Sequence, residues 1–178
     1  MQVFLIRHSR PLIDAGLCYG RLDVDFDDPL PIAARLRPLL LPGTPVIASP
    51  LRRAWQLAEA LDPLARTDAR LAEIDFGDWE GKSWNEIGRD ALDAWAADIL
   101  NFTPPGGESV ASLQQRAIEF AETLAATLDE PRVALVTHAG VMRALLGHWR
   151  KLPVAEWTRL KFEFGSITQI KIDNNEPA

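Results

Sequence analysis

The sequence predicts an α/β layer fold around a mainly parallel sheet, on three observations. Short apolar runs rich in strand formers recur along the chain, helical patterns separate them, and 178 residues with 47% hydrophobic side chains suffice for one well-buried core. Residues 3–6, Val-Phe-Leu-Ile, form the first run and read as a buried strand. Residues 45–48 and 133–136 read the same way. Ser49 followed by Pro50 suits a helix N-cap with proline at the first helical position, and Leu51, Ala54, Trp55 and Ala58 recur at helical spacing, so a helix is predicted over 50–61. Residues 84–100 also read as helical and are ended by Pro104-Pro105-Gly106-Gly107. Ser109 caps a longer helix reaching about residue 129, with Leu113, Ala117, Phe120, Leu124 and Leu128 as its apolar stripe. Gly140 opens another, over 141–149. Residues 159–164 and 167–172 alternate with period two about Gly165-Ser166 and are predicted to close the fold as an antiparallel pair. The remaining irregular stretches, 14–31 and 75–107, are long enough to be candidate walls of a site. No repeat, low-complexity tract or linker divides the chain, so one domain over 1–178 is expected.

Charge and composition exclude several classes. Nineteen Lys plus Arg stand against 25 Asp plus Glu, a net charge of -6, which argues against a general nucleic-acid binder with its basic face. No window reaches the roughly 18 unbroken apolar residues of a membrane span; residues 36–48 come closest and are broken by Pro38, Pro42 and Pro45. The first apolar run follows Met1-Gln2 with no basic segment, so a cytoplasmic protein without a signal peptide is expected. One cysteine, Cys18, allows no internal disulfide framework and no thiolate-rich zinc site. Residues 1–53 carry seven Arg against five Asp, and 15 of the 19 bases in the chain are Arg, the side chain suited to bidentate recognition of phosphate or carboxylate. A small anionic ligand is the expected partner, and oligomeric state is not legible.

In open α/β sheets, ligands bind beyond the carboxyl ends of the strands. There the first run delivers Arg7-His8, the second Ser49 with Arg52 and Arg53 one turn on, and the third Thr137-His138-Ala139-Gly140. A neutral imidazole can attack phosphorus while arginines hold the phosphoryl oxygens. A second histidine can bond a phosphoryl oxygen, and a carboxylic acid can protonate the leaving alcohol and then activate water. Such chemistry needs no metal ion and no cofactor. Glu73, within the apolar and aromatic stretch 71–81, is the candidate acid, its surroundings being suited to raising its pKa; Glu80, Glu108 and Asp75 are the alternatives.

Leu5-Ile6-Arg7-His8 resembles the opening motif of the histidine phosphatase superfamily, the phosphoglycerate mutase-like family. Ser49-Pro50-Leu51-Arg52-Arg53-Ala54, residues 71–81, Pro105-Gly106-Gly107-Glu108-Ser109 and residues 136–143 resemble further family segments in the same order. The resemblance implies a three-layer α/β/α sandwich. It makes His8 the residue that becomes phosphorylated, Arg7, Arg53 and His138 the rest of the phosphate pocket, and Glu73 the proton donor. Two departures stand out: Ser9 replaces the usual Gly, and Pro11 and Asp14 stand where mutase-type members have Thr and Asn. The segment Cys18-Tyr19-Gly20-Arg21 is similar to that of α-ribazole phosphatases, which remove the 5′-phosphate from α-ribazole phosphate in assembly of the cobalamin nucleotide loop. It implies substrate contacts at Tyr19, Gly20 and Arg21 and a small phosphorylated metabolite as partner. A broad-specificity or sugar-phosphate phosphatase, a mutase and a non-catalytic binding module of the same fold are the alternatives.

Other residues have plainer readings. His148, Arg52 and Arg143 read as helix residues facing solvent or structural partners, and Trp79 and Trp84 as packing residues. Cys18 reads the same way, because the cysteine-phosphatase pattern needs Arg where Val24 stands. Asp23-Val24-Asp25-Phe26-Asp27 superficially matches the Asp-x-Asp-x-Thr of magnesium-dependent phosphatases, but Asp27 replaces Thr and no apolar strand precedes it, so a solvated loop is expected. No phosphate-binding loop ending in Gly-Lys-Ser or Gly-Lys-Thr occurs.

Overall fold

The apolar runs are unbroken rather than alternating because both faces of the strands are covered. The structure, a computed structural model, describes residues 1–172; the last six residues of the expected domain lie outside the described residues. Five strands, β1 (Gln2–Arg7), β2 (Val46–Ala48), β3 (Arg66–Thr67), β4 (Arg132–Thr137) and β5 (Ile167–Lys171), form one sheet in the order β3-β2-β4-β1-β5. All neighbours are parallel except β5, which runs antiparallel to β1.

Successive side chains feed opposite faces. Val3, Leu5, Ile47, Val133 and Leu135 join a core with α5 (Val110–Thr127) and α6 (Ala139–Trp149), including Leu113, Phe120, Leu124 and Leu145. Phe4, Ile6, Val46, Ala48, Ala134 and Val136 join a second core with Ala33 and Leu36 of α1 (Leu30–Leu36) and Ala54, Leu57 and Leu61 of α2 (Arg52–Leu61). Helices on both faces make the three-layer α/β/α sandwich that was expected. No helix among the described residues is long and apolar enough to cross a membrane.

Register positions the site. Arg7 lies opposite Thr137 and Ala48 opposite Val136, so β1, β2 and β4 end at one level. The residues that follow, His8, Ser49 and His138, therefore emerge together, with the His8 amide donating to the Thr137 carbonyl at 3.0 Å and the Ser49 amide to that of Val136 at 2.9 Å. This closes the gap of 130 positions between the two histidines.

Several local expectations are corrected. Ser49 does not cap α2: the helix begins at Arg52 after Leu51, whose amide donates to Ser49 Oγ at 3.2 Å in a turn that precedes it. Ser109 does cap α5, accepting from the Ser112 amide at 3.1 Å, and α5 ends two residues before the expected limit. Residues 159–164 form no strand. Their carbonyls serve arginines instead, Leu160 accepting from Arg143 Nε at 2.8 Å and Phe162 from Arg7 Nη1 at 2.6 Å, while β5 pairs with the open edge of β1. The expected helix over 84–100 is two, α3 (Trp84–Ile87) and α4 (Arg89–Ala97), because Gly88 takes φ +90° between them. A short α7 (Val154–Trp157) completes the helices described, and neither it, α1 nor the two-residue β3 was anticipated.

Candidate active site

His8 is 2% exposed, and its Nδ1 lies 2.6 Å from the Ser9 carbonyl. A carbonyl only accepts, so Nδ1 carries the ring proton and Nε2 keeps its lone pair. Burial pushes the imidazole pKa down to about 3, helped by the Arg53 and Arg7 charges and opposed by the bond to Ser9. His8 is thus neutral across the physiological range.

His138 sits beside it, with ring centroids 4.7 Å apart. It is fully buried; its Nε2 lies 2.7 Å from Ser49 Oγ, and its Nδ1 has no partner. Burial, then the neighbouring His8, Arg53, Arg116 and Arg7, hold its pKa well below the usual histidine value. Two groups that stay neutral when folded but titrate near 6.5 when unfolded make stability depend on pH. Between pH 6.5 and about 3 the unfolded chain binds the extra protons, so stability falls as pH falls, by up to about 1.4 kcal/mol per pH unit for each histidine. The urea midpoint is expected to drop from pH 7 to pH 4, and less steeply in His8→Asn; equal slopes would assign the acid loss to other groups.

Arg7 and Arg53 carry the positive charge. Arg53 is fully buried and donates to the carbonyls of Leu22, at 3.0 Å, and Gly20. Arg7 donates to the Phe162 carbonyl and lies 3.7 Å above the Phe164 ring, which also approaches His8 at 5.5 Å. Burial lowers the pKa of both guanidiniums, yet they remain charged, and both Nε atoms are buried without a partner. Neither forms an ion pair among the described residues. Two guanidiniums with no ion-pair partner, Arg53 fully and Arg7 partly buried, beside two neutral imidazoles make a site for a small anion.

Glu73 is half-buried and lines the same cavity, a cleft of about 340 Å³ whose wall includes Arg7, His8, Tyr19, Arg53 and Arg143. Its Oε1 accepts from the Ile74 amide at 2.9 Å and its Oε2 from the Gly140 amide at 3.1 Å. Gly140 stands in the first turn of α6, where amides lack intrahelical partners. A Cβ there would come within 2.2 Å of Glu73 Oε1, so glycine is what lets the carboxylate reach this amide.

The competing acids are committed elsewhere. Glu80 accepts from four amides, those of Gly20, Arg21, Leu22 and Phe76, at 2.8 to 3.0 Å, tying the 19–22 loop to the 73–80 loop. Glu108 holds Arg116 at 2.6 Å and the Asp75 amide at 3.0 Å, and Asp75 accepts from the Gly77 amide at 2.8 Å. Of the four carboxylates, only Glu73 lines the cavity. Among the described residues, no three or more His, Cys, Asp or Glu side chains are grouped to hold a metal ion.

The 19–21 loop divides. Tyr19 lines the cavity, with the Arg53 guanidinium 5.6 Å from its ring. Gly20 and Arg21 do not line it: Gly20 offers its carbonyl to Arg53 and its amide to Glu80, and Arg21 turns to Asp75 and Glu108, 3.4 Å from each. Gly20 is needed for close approach, since a Cβ would meet the Ile74 carbonyl oxygen at 1.9 Å. Cys18 is buried, and burial, then Glu80, raises its thiol to about 12, as suits a packing residue. The Asp23, Asp25 and Asp27 side chains are exposed. Ser9 fits fully buried, its hydroxyl without a partner.

Four contributors take on more than the sequence reading gives them. Ser49, expected at the ligand edge and as a cap, bonds His138; Arg143 holds the Leu160 carbonyl as a structural arginine and also lines the cavity; Phe164, expected in a strand, lies against Arg7 and His8. Arg116 holds the carbonyls of Arg70, Ala72 and Glu73 at 2.6 to 3.1 Å and so fixes the backbone that presents Glu73; its place beside Leu113 and Ala117 on α5 was the available signal. A larger hollow, about 630 Å³, opens near the start of β2 between Arg37, Pro42, Leu61 and Arg66, but no histidine lines it.

Comparison with known proteins agrees with this geometry. The model of the histidine phosphatase superfamily (branch 1) matches residues 3–178. Glucosyl-3-phosphoglycerate phosphatase of Mycobacterium tuberculosis is 31% identical over 183 residues, covering 89% of this chain and 79% of that protein. Adenosylcobalamin/α-ribazole phosphatase of Salmonella typhimurium is 27% identical, covering 97% and 91%. The solved α-ribazole phosphatase of Shigella flexneri superposes with a TM-score of 0.86 at 26% identity, over 97% of this chain and 91% of its own. With its two strand-end histidines, the two arginines beside them and a family match over nearly its whole length, the chain belongs to the histidine phosphatase superfamily.

Proposed function

We propose that the protein is a metal-independent phosphomonoesterase working through a phosphohistidine at His8. The observation that carries the reading is the buried His8 imidazole, whose Nδ1 faces the Ser9 carbonyl so that Nε2 is left free, set beside two guanidiniums that have no ion-pair partner. In the first transfer, the Nε2 lone pair forms a bond to phosphorus as the bond to the alcohol oxygen breaks, and the Glu73 carboxyl gives its proton to that oxygen. In the second, water attacks phosphorus, passes a proton to the Glu73 carboxylate, and Nε2 leaves with its lone pair. Arg7 and Arg53 neutralise the phosphoryl oxygens throughout. In the tautomer proposed, the Ser49 hydroxyl donates to His138 Nε2 while its oxygen accepts from the Leu51 amide, which leaves His138 Nδ1–H, without a partner in the protein, as the donor for a phosphoryl oxygen.

The substrate proposed is α-ribazole 5′-phosphate, in cobalamin biosynthesis in the cytoplasm. Tyr19 in the cavity wall and the likeness to the Salmonella enzyme over 97% of the chain support it. A glucosyl-3-phosphoglycerate-type substrate is the second reading, favoured by the higher identity to the mycobacterial enzyme. Phosphate release in excess EDTA from both compounds, 3-phosphoglycerate and p-nitrophenyl phosphate decides. The highest kcat/KM is expected for α-ribazole phosphate; equal turnover of all four would leave a broad phosphatase, and chelator-sensitive turnover would overturn the mechanism.

A further inference from the structure

The cavity wall includes apolar side chains that the transfer chemistry does not use. Besides Arg7, His8 and Arg53 it contains Phe76, Trp95, Ile99 and Val110, with Ile74 and Leu113 of the core behind them. Trp95 and Ile99 come from α4 and the turn after it, and α4 is unlike the sandwich helices because it contains no buried residue. No core holds it. Its main anchor is the Trp95 ring, edge-on to Phe76 and to Trp79 at 6.1 Å each and parallel to Trp84 at 6.3 Å. Ile99 remains 41% exposed. Trp95 and Ile99, turned toward a catalytic cleft with no core of their own, stay partly wet until something covers them.

The same cavity holds His8 and Glu73, so what covers them is the alcohol half of a bound ester. Hydroxyl or carboxylate groups seated against this wall would lose water and find no partner. A flat apolar ring would bury itself there and meet aromatic edges and faces. We infer that Trp95 and Ile99 are specificity-determining residues, and that the enzyme selects phosphate monoesters whose alcohol carries a flat apolar ring. Polar atoms of such an alcohol are left to the rest of the wall, where Arg143 and Thr158 lie. The inference rests on the phosphohistidine reading of the cavity. It narrows the substrate to a class without requiring one compound.

The test compares two esters of primary alcohols, 2-naphthylmethyl phosphate and glycerol 3-phosphate, whose leaving groups make similar demands on the acid. The ratio of their kcat/KM values is expected to favour the naphthyl ester by about tenfold or more in the unsubstituted protein. It is expected to fall to within about threefold of unity in Trp95→Ala and to be partly kept in Trp95→Phe. Because Trp95 also anchors α4, Ile99→Asn provides a second variant that alters the wall and leaves the anchor in place; it too should lower the ratio. A ratio near one in the unsubstituted protein, or one unchanged in both Trp95→Ala and Ile99→Asn, overturns the inference while His8-dependent hydrolysis stands. Absence of His8-dependent release from either ester overturns both the inference and the reading on which it rests.

Discussion

Replacing His8 with alanine is expected to lower phosphate release from p-nitrophenyl phosphate by about four orders of magnitude or more, the scale seen when a covalent nucleophile is removed. The structure leaves no substitute. The other imidazole in the site, His138, is fully buried behind His8 and has its Nε2, the nitrogen that would carry the lone pair, engaged by Ser49. Arg7 and Arg53 are held by the carbonyls of Phe162, Gly20 and Leu22, none of which depends on the His8 side chain. Anion binding should therefore survive, with the inhibition constant of inorganic phosphate within about tenfold of its original value. That combination, lost turnover with retained phosphate affinity, separates a missing nucleophile from a collapsed pocket. Rapid quenching of the unsubstituted protein should trap an acid-labile phosphoenzyme, absent from the variant. More than a few per cent of turnover remaining in His8→Ala would sink the mechanism.

What the sequence showed and what it hid have physical reasons. The ends of β1, β2 and β4 were legible because buried parallel strands are unbroken apolar runs, and the residue after such a run sits at the ligand edge of the sheet. His8 and His138 followed from that, whereas Arg53 was separated from Arg52 only by the resemblance to the family motif. Register was not legible, since it depends on which strands pair, and it is register that puts His8 beside His138. Ser49 was misread because a serine before a proline gives the same local signal whether it caps a helix or bonds an imidazole 89 positions away. The period-two pattern in 159–164 was present, but the edge of β1 was available to β5, and the carbonyls of 160 and 162 went to arginines. Glu73 was chosen over Glu80, Glu108 and Asp75 on its apolar surroundings and the family motif alone, because all four lie in loops where no periodicity speaks. Loop amides with no ladder partner claimed Glu80 and Glu108, and that assignment is made only in three dimensions.

The role of Glu73 yields the second large effect, and it depends on the leaving group. A carboxyl that protonates the departing oxygen matters most for an alkyl ester, whose alkoxide is a poor leaving group, and little for nitrophenolate, which departs unprotonated. Glu73→Gln is expected to slow an alkyl phosphate by about a hundredfold to ten-thousandfold and p-nitrophenyl phosphate by less than about tenfold. Gln keeps an acceptor oxygen for one of the two amides, Ile74 or Gly140, so the local fold should persist. Gly140→Ala offers an independent route to the same phenotype. Its new methyl group would stand 2.2 Å from Glu73 Oε1, the movable end of a side chain, whereas the next atoms, Glu73 Cδ and Leu113 Cδ1, lie at 3.2 and 3.3 Å. Displacing the carboxylate is therefore the cheaper response, since moving α6 would disturb the core around Val141, Met142 and Leu145. Gly140→Ala should reproduce the leaving-group dependence of Glu73→Gln, and the double variant should be little worse than either alone, because both act through one proton transfer. Equal slowing of both esters in Glu73→Gln would assign the proton to another group, and additive losses in the double variant would separate Gly140 from Glu73.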